Sequence, residues 1–101
     1  MHVLLALTGG DLHGYGILLE VARQSQGAYK IGPGTLYDNI KKLLANGLVE
    51  EAGARKGVPT SRREYHITDF GCEVLRAETD RLTKVLKEAR LRLRPREGMQ
   101  A

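Results

Sequence analysis

Three features of the sequence predict a mainly α-helical fold with a two-stranded β wing and a long C-terminal helix. Apolar residues recur at helical spacing in three short segments before residue 46. Residues 48–67 then show strand-like patterns on either side of a loop that contains Gly and Pro. From residue 68 onward, apolar residues alternate at spacings of four and three, as in one long amphipathic helix. Three helices followed by a hairpin is the element order of a winged helix-turn-helix.

Length and composition suit one small fold. The chain has 101 residues, 42% of them hydrophobic, and a formal net charge of +4. This basic excess permits an anionic partner, although a solvated basic surface is the alternative. We expect a winged helix-turn-helix over residues 1–67 and a dimerisation helix with its tail over residues 68–101. The apolar run at residues 3–7 is too short for a signal sequence or a membrane span, so we expect a cytoplasmic protein with no membrane partner.

The third helix is predicted to present a polar face to DNA. Pro33 suits the first helical position after Gly32 as N-cap, and Gly47 suits the left-handed position that follows the helix. Leu36 and Ile40 lie on its inward face. Its outward face is expected to carry Thr35, Tyr37, Asp38, Lys41 and Lys42. In a winged helix-turn-helix this helix enters the major groove, but a merely solvated face is the alternative.

The residues of this helix have expected roles in binding double-stranded DNA. Lys41 and Lys42 can neutralise phosphates or donate hydrogen bonds to guanine O6 and N7. The hydroxyl of Tyr37 can reach a phosphate, so we assign Tyr37 to positioning rather than to base readout. The backbone N–H groups of Gly34 and Thr35 at the helix start can also hold a phosphate.

The hairpin supplies a second set of candidate contacts. Its loop contains Gly57 and Pro59 and is flanked by strand-like segments at residues 48–52 and 62–67. The charges of this wing are Arg55, Lys56, Arg62 and Arg63. A wing lies along the DNA backbone in this fold, whereas a flexible solvated loop is the alternative. Lys30, just before the third helix, is a further phosphate candidate.

The last helix is expected to join two copies of the chain. Thr68 is its predicted N-cap, and Asp69 lies in its first turn. Its apolar seam consists of Leu75, Thr79, Leu82, Leu86, Ala89 and Leu93. Because this seam extends past the small winged domain, water would be left in contact with apolar surface. The sequence therefore predicts a homodimer. Packing against the first helix of the same chain is the alternative, and we expect both contacts.

Catalytic and metal chemistry are not indicated. Cys72 is the only cysteine, which favours a small buried apolar residue over a disulfide or a zinc site. The three histidines, His2, His13 and His66, lack the spacing of metal ligands. The sequence contains no recognisable nucleophile–base arrangement, phosphate-cradling loop or carboxylate pair. We therefore expect no enzyme activity, no catalytic residue, no metal site and no cofactor.

Four segments of the chain resemble one known family. They are LHGYGI (12–17), PGTLYDNIKKL (33–43), GLVEE (47–51) and RREYHITDFG (62–71). In this order and at this spacing they resemble the motifs of the PadR-type transcriptional regulators, over nearly the whole chain. The resemblance implies a ligand-responsive repressor that binds a palindromic operator as a homodimer. The single final helix is similar to that of the smaller class in the family.

Three residues depart from the family pattern, and alternatives follow from them. Gly16 stands where Glu is frequent, Gly32 replaces a Ser cap, and Asp38 replaces the Pro after the Tyr. The Asp38 carboxylate repels phosphate unless it accepts a hydrogen bond from a cytosine amino group. Asp38 therefore argues for the alternative of a winged-helix protein-interaction module without DNA binding, whereas the basic tip of the wing argues against it. A carrier or enzyme subunit built around a dimer cavity is the other alternative; some relatives bind small, flat aromatic effectors between their subunits, but this chain has no Trp to stack there.

Overall fold

All four helices of the fold contribute to one core, on which a small sheet also packs. A computed structural model describes residues 1–52 and 63–94. The elements in chain order are α1 (His2–Leu7), β1 (Leu12–His13), α2 (Gly14–Gln24), α3 (Pro33–Ala45), β2 (Val49–Ala52), β3 (Glu64–Ile67) and α4 (Asp69–Leu93). The predicted mainly helical fold with a β wing and a long C-terminal helix is confirmed.

The wing belongs to a three-stranded antiparallel sheet, so the prediction of two strands was incomplete. The strand order is β1-β3-β2, and Leu12 of β1 pairs with Tyr65 of β3. On β3, Tyr65 and Ile67 are buried while Glu64 and His66 are exposed, as the alternation predicts. β1 has only two residues, which is too few to produce a recognisable alternating pattern.

The core is almost entirely aliphatic. Its buried members are Val3, Leu4, Ala6, Leu7, Ile17, Val21, Leu36, Ile40, Val49, Tyr65, Ile67 and Leu75. The short helix α1 supplies four of them, so it is an integral part of the core. Cys72 is half-buried and packs against the same cluster, in keeping with the apolar role expected for it.

The predicted ends of α3 and the predicted start of α4 agree with the structure. α3 begins at Pro33 after the N-cap Gly32. It ends before Gly47, whose φ of 73° allows Leu48 N to donate a hydrogen bond to Leu43 O at 2.9 Å. At the start of α4, the Thr68 hydroxyl oxygen accepts a hydrogen bond from Gly71 N at 2.9 Å. α2 ends at Gln24.

α4 packs on the body of the protein at its beginning and leaves it further along. Leu75 is only 9% exposed and belongs to the core of its own chain. This first residue of the apolar seam therefore packs within the chain, as the alternative to dimerisation predicts. Leu82 and Leu86 are 37% and 50% exposed, and Leu93 is 82% exposed. The seam is therefore uncovered in one chain from about Thr79 onward. Neither this helix nor any other within residues 1–52 and 63–94 is long and apolar enough to cross a membrane.

Candidate nucleic-acid interface

The burial of one side of α3 fixes which of its residues face outward. Leu36 and Ile40 are 0% and 2% exposed and hold the helix against the core. At about 100° per residue, Asp38 lies opposite them at the centre of the outward face. Thr35, Lys41 and Lys42 surround Asp38, and all four side chains are exposed, as predicted.

The charges on this face are not paired with one another. Within residues 1–52 and 63–94, Asp38, Lys41 and Lys42 take part in no ion pair. Lys42 also borders a cavity of about 220 Å³, beside Asn39 and the stacked rings of His2 and Tyr29. The two lysines therefore offer ammonium groups that are available to an anionic partner.

The start of α3 has donors without acceptors. The N–H groups of the first helical turn have no partner within the helix, and Gly32 has no side chain to cap them. Gly34 and Thr35, which carry two of these groups, are exposed, and so is Lys30 ahead of the helix. Such a helix start is suited to a phosphate.

Tyr37 is not on the open face that the sequence suggested. Its side chain is half-buried and packs against the core cluster. Its hydroxyl oxygen would lie 2.6 Å from a Cβ atom built on Gly14, so the phenol is directed at the start of α2. The reason is its position about 100° around the helix from Leu36, at the edge of the buried face, where α2 covers it.

The base of the wing is held by a cross-strand ion pair. Arg63 Nη1 lies 3.3 Å from Glu51 Oε1, and both side chains are partly exposed. Tyr65, on the same strand, is buried, and this burial raises the pKa of its phenol. The nearby Glu51 carboxylate and Tyr37 raise the pKa further, whereas Arg63 lowers it. Of the four predicted wing cations, Arg55, Lys56 and Arg62 lie outside the described residues.

Two residues at the start of α2 were missed as candidate DNA contacts. His13 is the N-cap, and its Nδ1 accepts a hydrogen bond from Gly16 N at 2.9 Å. The neutral ring then carries its proton on Nε2, as an exposed donor. Tyr15 is 64% exposed. Tyr15 could have been recognised from the sequence, because an aromatic residue in the first turn of a helix is a signal of a contact surface. His13 could not, because His is not among the preferred N-cap residues.

His66 forms an ion pair on the exposed face of the sheet. Its Nδ1 lies 2.7 Å from Asp11 Oδ1, which joins β3 to the loop before β1. The hydrogen bond that His66 donates to the Asp11 carboxylate raises the pKa of His66. Burial opposes this rise, and the negative charges of Asp11, Glu50 and Asp69 add to it. No group of three or more His, Cys, Asp or Glu residues suited to a metal ion occurs in the described part of the chain.

Comparison with known proteins identifies the family. The model of the "Transcriptional regulator PadR-like family" matches residues 3–77. The transcriptional regulator Rv3488 of Mycobacterium tuberculosis is 30% identical over 89 residues, which cover 87% of this chain and 78% of that protein. An uncharacterized 37.1 kDa protein in transposon TN4556 of Streptomyces fradiae is 34% identical over 88 residues. The match covers 84% of this chain but only 23% of that much longer protein.

A solved structure has the same fold. The crystal structure of Bacillus subtilis PadR in complex with operator DNA superposes with a TM-score of 0.65 at 23% identity. It covers 77% of this chain, and this chain covers 44% of it. The family model spans the core, α3 and the wing, in the order expected from the four sequence motifs. The chain therefore belongs to the PadR-like family of transcriptional regulators.

Proposed function

We propose that this protein binds double-stranded DNA as a homodimer and represses transcription from an operator with two-fold symmetry. The observation that carries the proposal is the outward face of α3, where Lys41 and Lys42 flank Asp38 beside an uncapped helix start. A B. subtilis protein of the same fold has been solved with operator DNA. Lysines on a helix that fits the major groove can donate to guanine, and Asp38 can accept from a cytosine amino group.

The remaining candidate residues are expected to contact the DNA backbone and not the bases. The N–H groups of Gly34 and Thr35, with Lys30 nearby, suit a phosphate at the start of α3. His13 and Tyr15 can donate to the backbone from the start of α2. Arg63 is partly engaged by Glu51, so we expect a weaker contact from it than from a free arginine. Arg55, Lys56 and Arg62, known here from the sequence alone, complete the wing contacts.

The homodimer is supported by the uncovered seam of α4. Leu82 and Leu86 lie one turn apart, and both are at least 37% exposed in one chain. Thr79, Ala89 and Leu93 continue the same stripe, with spacing typical of helix pairing. A second copy of the chain covers both stripes at once, because the contact is the same surface on both subunits.

The charges of α4 favour an antiparallel pair of helices. Its first part carries four acidic residues and two arginines, whereas residues 84–94 carry five basic residues and one glutamate. Parallel packing would set the two basic parts side by side. In an antiparallel pair centred on Leu86, residues 89–94 of each chain lie against residues 78–83 of the partner, so that Arg92 faces the partner's Asp80 and Arg94 faces the partner's Glu78, which lowers the electrostatic energy. The free stripe from Thr79 to Leu93 is centred on Leu86, which would then lie near the two-fold axis.

Repression and a response to a small aromatic effector are proposals from the family resemblance. Repression follows if the operator overlaps a promoter, because a bound dimer excludes the polymerase. A footprint on the DNA upstream of the protein's own gene would locate the operator. If the protein protects no part of this DNA, with or without added ligand, the operator does not lie upstream of its own gene.

The decisive test selects duplexes from a randomised library with the purified protein. We expect an enriched sequence with two-fold symmetry and half-site centres about 10 base pairs apart. With six or more phosphates contacted by the dimer, log K should fall with log salt at a slope of about −5 or steeper. A flat salt response, or equal affinity for every sequence, would instead favour a winged-helix protein-interaction module, the alternative that the exposed Asp38 suggests.

A further inference from the structure

A close contact between Gly14 and Tyr37 joins the two helices of the helix-turn-helix. Gly14 is the buried first residue of α2, and Tyr37 lies one turn into α3. A Cβ atom on Gly14 would lie 2.6 Å from the hydroxyl oxygen of Tyr37, 3.1 Å from its Cζ and 3.3 Å from its Cε1. Contacts of a Cβ atom below 3.0 Å essentially do not occur in proteins. Any side chain at residue 14 would therefore displace the phenol.

The backbone does not require a glycine at this position. Among the glycines of the described residues, those with positive φ are Gly10, Gly27 and Gly47. Gly14 lies in the first turn of a helix, where most residues fit and glycine is unfavourable by about 1 kcal/mol relative to alanine. The missing Cβ atom is therefore explained by the approach of the Tyr37 ring.

The ring of Tyr37 lies where three elements meet. It is half-buried against the core, next to the start of α2. The buried Tyr65 of β3 lies close enough to Tyr37 for Tyr37 to raise the pKa of Tyr65, although burial and Glu51 raise it more. Tyr65 pairs with Leu12, two residues before Gly14. The phenol thus packs against the start of α2 and lies near the strand pair of β1 and β3.

We propose that Tyr37 is a positioning residue whose ring, seated against Gly14, sets the separation and angle between α2 and α3 and thereby the placement of Lys41 on the DNA. Lys41 lies four residues after Tyr37, on the adjacent turn of α3. This inference rests on the proposed DNA-binding function. It differs from the phosphate contact expected from the sequence, because the ring acts through its contact with α2 and the hydroxyl does not bind the nucleic acid.

The physical consequence is a selective effect on base recognition. If residue 14 carried a Cβ atom, the hydroxyl would have to move from 2.6 Å to an ordinary contact beyond 3.4 Å. Hydrogen bonds to base edges are restricted to about 2.7–3.2 Å and weaken steeply when they are misaligned. Coulomb attraction to phosphates changes little over such a displacement. Because the ring is also packed against the core, it cannot move aside freely, and we expect α3 to take up part of the displacement. Such a shift of α3 should weaken operator binding more than binding to random DNA.

The test uses the full chain and two duplexes: the sequence enriched by the wild type and a scrambled sequence of equal length. Gly14→Ala should lower operator affinity at least about tenfold and leave the scrambled duplex within about twofold. Tyr37→Phe alone should keep operator affinity within about twofold, since the ring remains and no phosphate bond is lost. Gly14→Ala with Tyr37→Phe removes the closest atom and should recover at least half of the lost log affinity. Gly9→Ala is the control, because a Cβ atom there has nothing within 4 Å.

Circular dichroism and thermal melting separate a folding defect from a positioning defect. If Gly14→Ala melts below the assay temperature, Tyr37→Leu removes the ring without adding an atom and should lower the operator-to-scrambled ratio at least about fivefold. The proposal is overturned if Gly14→Ala binds the operator normally, if the double variant is no better than Gly14→Ala, or if Tyr37→Phe alone loses as much as Gly14→Ala. Failure of the wild type to enrich any duplex would instead overturn the DNA-binding function itself.

Discussion

At the scale of single residues, Gly71 allows α4 to lie directly against the backbone of Leu48. A Cβ atom there would overlap the Leu48 carbonyl oxygen and lie 2.8 Å from Ile67 Cγ1. That oxygen also accepts a hydrogen bond from Thr68 N at 3.1 Å, so it cannot move away freely. Gly71→Ala should lower the free energy of unfolding by about 1–3 kcal/mol. Thermal denaturation measures this as a fall of about 4–8 °C per kcal/mol.

The control for this substitution is Gly34→Ala. A Cβ atom on Gly34 has nothing within 4 Å, and the residue is helical. Alanine there should be neutral or stabilising by up to about 1 kcal/mol. Equal melting temperatures for the two variants would mean that α4 does not approach Leu48 as described.

Lys41 is the residue for which base recognition can be tested most directly. It is exposed on the outward face of α3, free of ion pairs within the described residues. If it reads a guanine, Lys41→Ala should cost about 1–3 kcal/mol on the operator and less on random DNA. Fluorescence anisotropy titrations with both duplexes give the comparison. Arg76→Ala, an exposed cation on α4, should leave both affinities nearly unchanged.

His66 should make stability depend on pH. Its pKa is raised above the ordinary 6.5 by the bond to Asp11, so the folded protein binds the proton more tightly than the unfolded chain. The stabilisation is then fully present below pH 6.5 and is lost as pH rises through the raised pKa. The melting temperature of the wild type, relative to His66→Gln, should fall as pH increases from about 6 to 8. Asp11→Asn should remove the same pH dependence, and its persistence in either variant would exclude this pair as the source.

At the scale of elements, α4 has two different functions along its length. Its first turns complete the core through Gly71 and Leu75. The part after Thr79 exposes an apolar stripe. Replacing Leu82 and Leu86 together by Asp should abolish dimerisation, because two charges would be buried without partners in each subunit, at several kcal/mol. The fold of each chain should remain, since both side chains are already partly exposed.

A matched control for the stripe is available on the same helix. Leu91 is 53% exposed, close to the 50% of Leu86. It lies about 140° around the helix from Leu86 and so faces away from the stripe. Leu91→Asp should leave the dimer intact in sedimentation velocity at micromolar concentration. A monomeric wild type would exclude the proposed dimer, and dissociation by Leu91→Asp alone would assign it to another face.

At the scale of the whole molecule, the direction of the two α4 helices in the proposed homodimer would decide how far apart the two α3 helices lie. In an antiparallel pair centred on Leu86, residue 79 of one chain faces residue 93 of the other. In a Cys72→Ala background, mixed Thr79→Cys and Leu93→Cys proteins should form a disulfide-linked heterodimer, since bonding requires Cα atoms within about 7 Å. Each single variant alone should stay uncrosslinked. Efficient crosslinking of Leu93→Cys with itself would indicate a parallel pair.

Much of this molecule could be predicted from local patterns in the sequence. Helix spacing, the cap residues Gly32, Gly47 and Thr68, and the alternation of β3 are decided by contacts within a few residues, so they can be recognised in one chain. The outward placement of Asp38 and the two lysines follows from the same helical geometry. Membership of the family was indicated by four motifs in order, each of them a local segment.

Long-range contacts decided the rest. β1 is a strand only because β3 supplies its hydrogen-bond partners, and two residues carry no pattern of their own. Helical spacing places Tyr37 at the edge of the buried face of α3, but the approach of Gly14 on α2, which covers its ring, is a contact that spacing within α3 does not indicate. His66 meets Asp11 across 55 positions of sequence. The sequence by itself determined the helices, their ends and the polar face of α3, since these depend on neighbouring residues. Only the tertiary structure decided which residues on those elements meet, because that depends on how distant segments pack.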